Sequence, residues 1–407
     1  MHLANFILES ISARSVARQY HPRLEHKLNI TSIEVIPLAR PLDAEFLGGT
    51  YRVHNRNTII TRIHTDAGVI GEAFGGDEDQ VQERIVALIR QHLAPLLIGE
   101  DVRDVERPWE KMFFCDIDLG NRALHVLDLG NRAVLMQAIS AIDNALWDAL
   151  GKSFDVPLYK LLGGYRDRVP VIAIGGFYHV NDRHHNALQD EVRGYKSGGL
   201  AGIKMKVGRA TLAEDIERVR AVREAGGSDF ILACDANQAW APTQAIEFCH
   251  AVAPLNIRWV EEPIRWYDQL GGLQAVRAAV TIPLVAGQGE ITRFGCRDLV
   301  LHGGVNILNV DVTIVGGITE WRRIAGMASM FDVQMAHHEE AQVALHLLAS
   351  IPHGLYVEIF PNRKRDPMWH ELPVEHPIIR SGYMHLPLGP GLGIKLNEEI
   401  IARYRVD

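Results

Sequence analysis

The chain has 407 residues, of which 47% are hydrophobic, so it can bury a large core and its length favours two domains. Its formal net charge of −8 excludes the basic footprint of a nucleic-acid-binding protein. No apolar run reaches membrane-spanning length. The four cysteines lack CxxC spacing, which indicates free thiols in a reducing compartment. These features predict a cytoplasmic protein without a nucleic-acid or membrane partner.

The N-terminal third predicts an extension followed by a small mixed domain. Residues 1–27 lack the hydrophobic region of a signal peptide, which favours a plain extension. Apolar and alternating patterns at Ile30–Pro37 and Asn57–His64 predict strands, and the Gly-containing segment Asp43–Val53 between them predicts a loop. Two stretches with helix-period apolar residues follow, at Asp79–Leu97 and Val134–Leu150. Strands followed by helices predict an α+β domain.

From residue 169 onward, short β-rich segments alternate with helical stretches. These segments are Val169–Gly175, Gly202–Val207, Phe230–Asp235, Ile257–Glu261, Leu284–Gly287, Ile307–Asp311, Val333–Ala336 and Leu355–Ile359. Eight strands joined by crossover helices in one domain predict an α/β protein of the TIM barrel type. In such barrels the active site forms at the C-terminal ends of the strands.

The second of these strands carries two lysines. Apolar Ile203, Met205 and Val207 alternate with Lys204 and Lys206, which is the period of a strand, so both lysines share one face. Two ammonium groups side by side repel each other. Either this is an edge strand with a solvated face, or an anionic group lies in front of the pair.

Polar residues end most of the other predicted strands. They are Asp235 and Asn237, Glu261 and Glu262, Gln288 and Glu290, Asp311, His337 and His338, and Glu358. Each has a structural explanation by itself, such as a helix cap or an ion pair. Carboxylates on successive strands that point to one centre would repel unless a cation lies among them. Hard oxygen ligands without a soft one suit Mg²⁺.

The sequence resembles the enolase superfamily, specifically its mandelate racemase subgroup, from about residue 28 to the end. The matching motifs are Leu146-Trp147-Asp148, Lys204-x-Lys206, Asp235-x-Asn237, Val260-Glu261-Glu262-Pro263, Asp311, His338 and Glu358. The resemblance implies a modified (β/α)7β TIM barrel with an α+β capping domain. It divides the chain into a capping domain at 28–155, a barrel at 156–370 and a C-terminal segment at 371–407 that returns to the capping domain.

The resemblance also implies catalytic roles. Family enzymes remove the proton α to a carboxylate with the help of Mg²⁺. By position, Lys206 is the base on one face, and Lys204 helps to bind the substrate carboxylate and lowers the pKa of its neighbour. His338 is the acid/base on the opposite face, and Asp311 orients its imidazole. Glu358, if protonated, donates a hydrogen bond to the substrate carboxylate.

The third metal ligand departs from the family pattern. The resemblance implies Asp235 and Glu261 as two ligands, but Gln288 stands where the family usually has Glu. A glutamine carbonyl oxygen can bind Mg²⁺, although it carries no negative charge. In an extended segment residues 288 and 290 share a face, so Glu290 is an equal alternative, alone or beside Gln288. The adjacent His337 is likewise an alternative to His338 as the base.

The polar loop at residues 46–55 indicates a hydroxylated substrate. If it covers the barrel mouth, as in the family, Tyr51 and Arg52 contact the substrate together with Asn237 and His337. We therefore expect a sugar-acid dehydratase that forms a 2-keto-3-deoxy acid, a hydro-lyase acting on a small-molecule carboxylate.

A racemase or epimerase using the same residues is the alternative, and a non-catalytic sugar-acid binder, supported only by Gln288, is a remote one. An aldolase with a Schiff-base lysine would not need Asp235, Glu261 and His338 together. Homo-oligomers are common in the resembled family, so we expect one here.

Overall fold

A computed structural model of the chain describes residues 27–76, 80–115, 129–179, 182 and 184–406. The predicted N-terminal extension therefore lies outside the described residues, except for its last position. Within these ranges no helix combines the length and hydropathy needed to cross a bilayer. All four cysteines fall inside the ranges, where they are buried and form no disulfide.

The N-terminal domain begins with a three-stranded antiparallel sheet in the order β1-β2-β3. Its strands are β1 (Ile30–Leu47), β2 (Arg52–Thr65) and β3 (Ile70–Gly75). The predicted loop at Asp43–Val53 is mostly wrong, because β1 and β2 extend into it and leave only residues 48–51 as the turn. A register shift between Pro41 and Phe46 keeps the strands paired up to the tip of this hairpin. The hairpin is therefore long enough to reach the barrel.

Helices cover this sheet as the periodicity predicts. They are α1 (Gln82–Leu88), a π-helical turn (Ile89–Leu93), α2 (Ala94–Leu97), α3 (Glu106–Phe113) and α4 (Leu129–Phe154). In α4, Leu135, Ile139, Ile142 and Leu146 recur at helical spacing and are almost completely buried. This stripe makes α4 the central helix of the domain. Trp147 of α4 donates to Thr319 in the barrel at 2.9 Å and so joins the two domains.

Eight parallel strands form the barrel, and all eight predicted segments contain one. The strands are β4 (Arg168–Gly175), β5 (Gly202–Lys206), β6 (Ile231–Asp235), β7 (Val260–Glu261), β8 (Leu284–Ala286), β9 (Ile307–Leu308), β10 (Gln334–Met335) and β11 (Val357–Ile359). From β4 to β10 each strand pairs with the next, and β11 pairs with β4. A bridge between Met335 and Gly354 closes the ring. The predicted barrel is confirmed.

Helices follow the first seven barrel strands, which gives the (β/α)7β pattern. They are α6 (Asn186–Ser197), α7 (Leu212–Gly226), α8 (Pro242–Val252), α9 (Gln269–Ala279), α10 (Arg293–Asp298), α11 (Gly317–Met330) and α12 (Ala341–Ser350), and the short α5 (Leu158–Leu161) precedes the barrel. Local sequence explains their ends, as in α7, where Thr211 and Glu214 form a capping box. Side chains inside the ring, among them Val285 of β8 and Trp259 just before β7, are almost completely buried.

The C-terminal segment runs along the barrel and then back to the first domain. It contains α13 (Pro367–Glu371), β12 (Ile379–Arg380), β13 (Tyr383–His385) and α14 (Glu398–Tyr404). β13 pairs antiparallel with β4 at the start of the barrel. After α14, the Val406 amide donates to the Pro37 carbonyl of β1 at 3.0 Å. The chain end is thereby fixed to the N-terminal sheet.

Candidate active site

A cavity of about 660 Å³ lies between the C-terminal ends of the barrel strands and the β1–β2 hairpin. From the barrel it is lined by Lys206, Gln288 and His338 among others, and from the hairpin by residues 50–55. This is the location expected for the active site of a parallel barrel. The capping domain therefore completes a site whose floor belongs to the barrel.

The two lysines of β5 face carboxylates inside the barrel. Lys204 is fully buried, and its Nζ lies 2.8 Å from Glu261 Oε1 and 2.8 Å from a carboxylate oxygen of Glu358. Lys206 Nζ lies 2.7 Å from Asp235 Oδ2. These contacts follow from the register, because Lys206 pairs with Asp235 and Asp235 pairs with Glu261 across parallel strands. The sequence left open whether this strand has a solvated face or an anionic group in front of its lysines. The second alternative is therefore correct.

The carboxylates keep both lysines protonated. Burial alone lowers the pKa of each ammonium group, but Glu261 and Glu358 raise that of Lys204 well above its usual value. In the same way Asp235 raises the pKa of Lys206. The positive charge of Lys204 does lower the pKa of Lys206, as expected, but Asp235 outweighs it. Lys206 can therefore act as a base only if the negative charge of Asp235 is neutralised.

The oxygen donors expected at a metal site are held in place by hydrogen bonds. Asp235 accepts from the Asn237 amide at 2.9 Å and from Asn237 Nδ2 at 3.1 Å. Glu261 Oε2 accepts from Trp259 Nε1 at 3.2 Å. Gln288 lines the cavity, and its Oε1 lies 3.4 Å from Asn309 Nδ2.

This donor set contains two carboxylates and no third one. Within the described part of the chain, no three His, Cys, Asp or Glu side chains form a metal cluster by themselves. Two buried carboxylates and an amide oxygen are nevertheless hard donors of the kind that Mg²⁺ prefers. Asp235, Glu261 and Gln288 therefore fit the metal that the sequence implies.

Glu290, the alternative third ligand, does not line the cavity. Residues 287–290 form a turn, in which the Glu290 amide donates to the Gly287 carbonyl at 3.1 Å. Residues 288 and 290 therefore do not share a face, contrary to the expectation for an extended segment. The Glu290 carboxylate packs against the backbone of Gly295 at the start of α10.

Glu262 ends a predicted strand, and the sequence assigned it no role, but the structure places it in the site. Strand alternation would turn it away from the barrel interior, but its φ of 39° is left-handed, and its side chain lines the cavity. It accepts from Gln238 Nε2 at 3.2 Å and from Gln288 Nε2 at 2.9 Å. Burial and the nearby Asp235 raise its pKa to about 7. The hydrogen bond between Glu262 and Gln288 identifies Nε2 as the donor end of the Gln288 side-chain amide.

His338 and Asp311 form a dyad at the cavity wall. His338 Nδ1 lies 2.8 Å from Asp311 Oδ2, so Nδ1 carries a proton, and Nε2 lies 3.5 Å from Glu339 Oε1. Asp311 Oδ1 accepts from the amide and hydroxyl of Thr313 at 2.7 and 2.6 Å. Burial lowers the pKa of His338, but Glu339 and Asp311 outweigh it and raise the pKa to about 9. His338 is therefore protonated at neutral pH.

The neighbouring His337 is not at the cavity. It is fully buried, and its Nε2 accepts from the Val312 amide at 3.2 Å. Its Nδ1 lies 2.9 Å from the His338 carbonyl oxygen. With both ring nitrogens bonded to backbone, His337 supports the loop rather than a substrate, which contradicts the expectation of a substrate contact. Glu358 is also below the cavity, where it accepts from Lys204.

The tip of the β1–β2 hairpin is fixed on the barrel. Thr50 Oγ1 donates to the Asn237 carbonyl at 2.8 Å, and the Gly49 amide lies 3.4 Å from Asn237 Oδ1. A Cβ at Gly49 would lie 2.6 Å from the Val207 carbonyl oxygen, so only glycine allows this approach. Tyr51 places its ring 5.4 Å from Lys206 Nζ. Arg52 also lines the cavity, with a largely exposed side chain that pairs with Glu45.

Comparison with known proteins agrees with this architecture in both domains. The family model described as "Mandelate racemase / muconate lactonizing enzyme, N-terminal domain" matches residues 32–163. The model described as "Enolase C-terminal domain-like" matches residues 187–400. Together they cover most of the first domain and seven of the eight barrel strands, all except β4.

Characterised relatives are similar over most of their length. The L-talarate/galactarate dehydratase of Salmonella typhimurium is 33% identical over 371 residues, 90% of this chain and 88% of the relative. The 3,6-anhydro-alpha-L-galactonate cycloisomerase of Streptomyces coelicolor is 32% identical over 351 residues, 86% of this chain and 91% of the relative. Several other relatives are named as sugar-acid dehydratases.

A solved structure is closer still. The crystal structure of a mandelate racemase/muconate lactonizing enzyme from a marine actinobacterium, in complex with magnesium, is 42% identical. It superposes with a TM-score of 0.84 and covers 93% of this chain and 100% of its own. From these matches and from the lysine pair, carboxylates and His–Asp dyad of the barrel, the chain belongs to the enolase superfamily, in its mandelate racemase/muconate lactonizing enzyme subgroup.

Proposed function

We propose that the protein is an Mg²⁺-dependent dehydratase that converts a sugar acid into a 2-keto-3-deoxy acid. One observation carries the proposal: Lys206 and His338 line the same cavity from different sides of the barrel. Lys206 ends β5 and His338 follows β10, and these strands are separated by at least two others in either direction around the ring. A substrate between them has a basic group on one side and an acidic group on the other.

The lysine side performs proton abstraction. As a neutral amine, Lys206 Nζ takes the proton from the carbon α to the substrate carboxylate, while the buried ammonium of Lys204 stabilises the negative charge that develops on that carboxylate. Asp235, Glu261 and Gln288 would hold Mg²⁺, which would supply positive charge to stabilise the enediolate. If the negative charge of Asp235 were neutralised, the positive charge of Lys204 would lower the pKa of Lys206.

The histidine side performs the elimination. The Nδ1 proton of His338 is held by Asp311, so Nε2–H is the proton that His338 can give away. The electron pair left at the α-carbon forms the new double bond, the bond to the β-hydroxyl breaks, and Nε2 protonates the leaving oxygen to give water. The resulting enol becomes the 2-keto-3-deoxy acid. The raised pKa of His338, about 9, keeps this acid protonated at neutral pH.

The upper wall of the cavity supports a polyhydroxylated substrate. The hairpin contributes Thr50, Tyr51, Arg52, His54 and Asn55 to the lining, all of which can form hydrogen bonds. The hydroxyl groups of a sugar acid can form hydrogen bonds with this lining, whereas an aromatic ring cannot. Relatives that are named as sugar-acid dehydratases support the same substrate class.

The test is proton NMR in D₂O with the protein, Mg²⁺ and a panel of hexonic, pentonic and hexaric acids. We expect the appearance of a deoxy methylene signal with one of the acids, and its loss when EDTA is added. Loss of an α-proton signal with every hydroxyl retained would replace the proposal with a racemase or epimerase. No change with any acid, together with no measurable Mg²⁺ binding, would contradict catalysis itself.

A further inference from the structure

Glu339 places a carboxylate beside the nitrogen of His338 that gives up a proton. Both side chains line the cavity, and Glu339 Oε1 lies 3.5 Å from His338 Nε2. A charge-assisted N–H···O hydrogen bond measures about 2.8 Å, so the two groups are close without forming a short direct bond. The Glu339 side chain is only 12% exposed. A mostly buried acceptor therefore lies next to the His338 proton and leaves room for a third atom.

Arg56 of β2 holds the other oxygen of this carboxylate. Its Nη1 lies 3.5 Å from Glu339 Oε2, and its Nε donates to Asp366 at 3.1 Å. Arg56 is itself buried. Because Oε2 faces this guanidinium, Oε1 is the oxygen that faces His338. The orientation of the Glu339 carboxylate is therefore set from the capping domain.

The backbone of residues 338–340 is also held in place. Glu339 and Glu340 have φ of 51° and 48°, a left-handed conformation that is unfavourable for residues other than glycine. Such a conformation persists only where the surroundings fix it. The Glu339 amide donates to Glu358 at 3.3 Å, and the Glu340 carboxylate accepts from the Gly76 amide at 2.9 Å. These contacts keep the Glu339 side chain at the cavity wall.

A hydroxyl group fits between the two side chains as acceptor and donor together. Its oxygen can accept Nε2–H of His338 at about 2.9 Å while its own hydrogen is donated to Glu339 Oε1 at about 2.7 Å. Because these lengths together exceed the 3.5 Å between Nε2 and Oε1, one oxygen atom can make both bonds at once. A carboxylate could accept from His338 but has no hydrogen for Glu339. The pair therefore suits a hydroxyl.

We propose that Glu339 is a further catalytic residue, which accepts a hydrogen bond from the β-hydroxyl as it leaves. This inference rests on the proposed function, because it assumes that His338 protonates that hydroxyl. The bond to Glu339 turns a lone pair of the oxygen toward His338 Nε2. When the bond from the β-carbon breaks, its electron pair stays on the oxygen, which takes the Nε2 proton. The water that forms keeps its first hydrogen on Glu339.

The experiment compares two leaving groups at the same carbon. The substrates are the acid that the wild type dehydrates in the NMR screen and its β-fluoro analogue, from which the same enediolate expels fluoride. Both reactions begin with the same proton abstraction, but fluoride has no hydrogen for Glu339. Glu339→Leu should lower the rate of dehydration about 10- to 100-fold, the size of a lost charge-assisted hydrogen bond, whereas fluoride release should fall less than about threefold.

Two further variants control for charge and for folding. Glu339→Gln keeps an acceptor without its charge, and its rate of dehydration should lie between those of the wild type and Glu339→Leu. Glu375→Gln removes an exposed carboxylate outside the cavity lining and should leave both rates unchanged. If Glu339→Leu does not fold, Glu339→Gln alone tests the inference. Dehydration at the wild-type rate, or an equal loss of dehydration and fluoride release, would overturn it.

Binding to a chemically inactive variant separates this inference from the proposed function. In Lys206→Met loaded with Mg²⁺, calorimetry compares the same hexonic, pentonic and hexaric acids with their β-deoxy analogues, and the hydroxyl should improve affinity about tenfold. Adding Glu339→Leu should remove most of this preference. If it does but the wild type dehydrates no acid, the dehydratase proposal fails and the hydroxyl contact stands. If dehydration occurs and Glu339→Leu leaves the preference unchanged, the role of Glu339 fails and the dehydratase stands.

Discussion

The two sides of the cavity hold their titratable groups in different ways. We call Lys206, which lines the cavity, together with the buried Lys204, Asp235 and Glu261 behind it, the lysine wall. Asp311, Thr313 and His338 are the histidine wall. The lysine wall lies on the strands β5, β6 and β7 and is almost completely buried. The histidine wall lies at and beyond the ends of β9 and β10, and the His338 side chain is 19% exposed.

The carboxylates of the two walls also have different tasks. In the lysine wall, Asp235 and Glu261 bind the ammonium groups and are also the oxygens proposed to bind Mg²⁺. In the histidine wall, Asp311 binds His338 and the Thr313 hydroxyl and is not a proposed metal ligand. A metal at the proposed site would therefore change the protonation of the lysine wall, whereas the dyad is assembled by the protein alone. The comparison predicts that the walls can be inactivated separately.

The largest expected effects come from removing the acid or the base. Lys206→Ala and His338→Asn should each lower the rate of dehydration about 10²- to 10⁴-fold, because each removes a positioned proton-transfer group. The variants should differ in exchange of the α-proton with D₂O. His338→Asn keeps Lys206 and should still exchange it, whereas Lys206→Ala should not. NMR measures both reactions in one sample.

The opposite exchange pattern would contradict the assignment of the walls. If Lys206→Ala exchanged the α-proton and His338→Asn did not, His338 would be the base. Thermal unfolding of each variant is the control, because Lys206 is buried against Asp235 and its loss leaves that carboxylate without its ion pair. Equal exchange in both variants would show that neither residue is the sole base.

The barrel and the lysine wall were predictable because their signals are local. Each barrel strand is a short apolar run, and the alternation in β5 places Lys204 and Lys206 on one face regardless of what surrounds them. The same period aligns Asp235 and Glu261 at the ends of neighbouring strands. Parallel register then brings them together without any further information.

The residues that sequence reasoning misplaced depend on turns and tertiary contacts. Glu262 enters the cavity only because its backbone is left-handed, and Glu290 leaves it because residues 287–290 turn. Strand alternation cannot anticipate either change.

The metal dependence of the lysine wall can be tested at its third ligand. Gln288→Ala should weaken Mg²⁺ affinity about 10- to 100-fold, a loss of the size seen when groups around a metal are removed. Glu290→Ala is the matched control, since its carboxylate packs against Gly295 outside the cavity, and it should bind Mg²⁺ as the wild type does. Calorimetric Mg²⁺ titration measures both. A loss in Glu290→Ala but not in Gln288→Ala would exchange their assignments.

The smallest expected effect is the pH response of the histidine wall. As an acid, His338 must be protonated, and Glu339 and Asp311 raise its pKa to about 9 against the opposing effect of burial. Because only the protonated form of His338 is active, kcat should be independent of His338 below pH 9 and should fall about tenfold for each pH unit above it. Circular dichroism at each pH excludes unfolding as the cause. A decline that begins near the ordinary pKa of histidine, about 6.5, would show that these two carboxylates do not control His338.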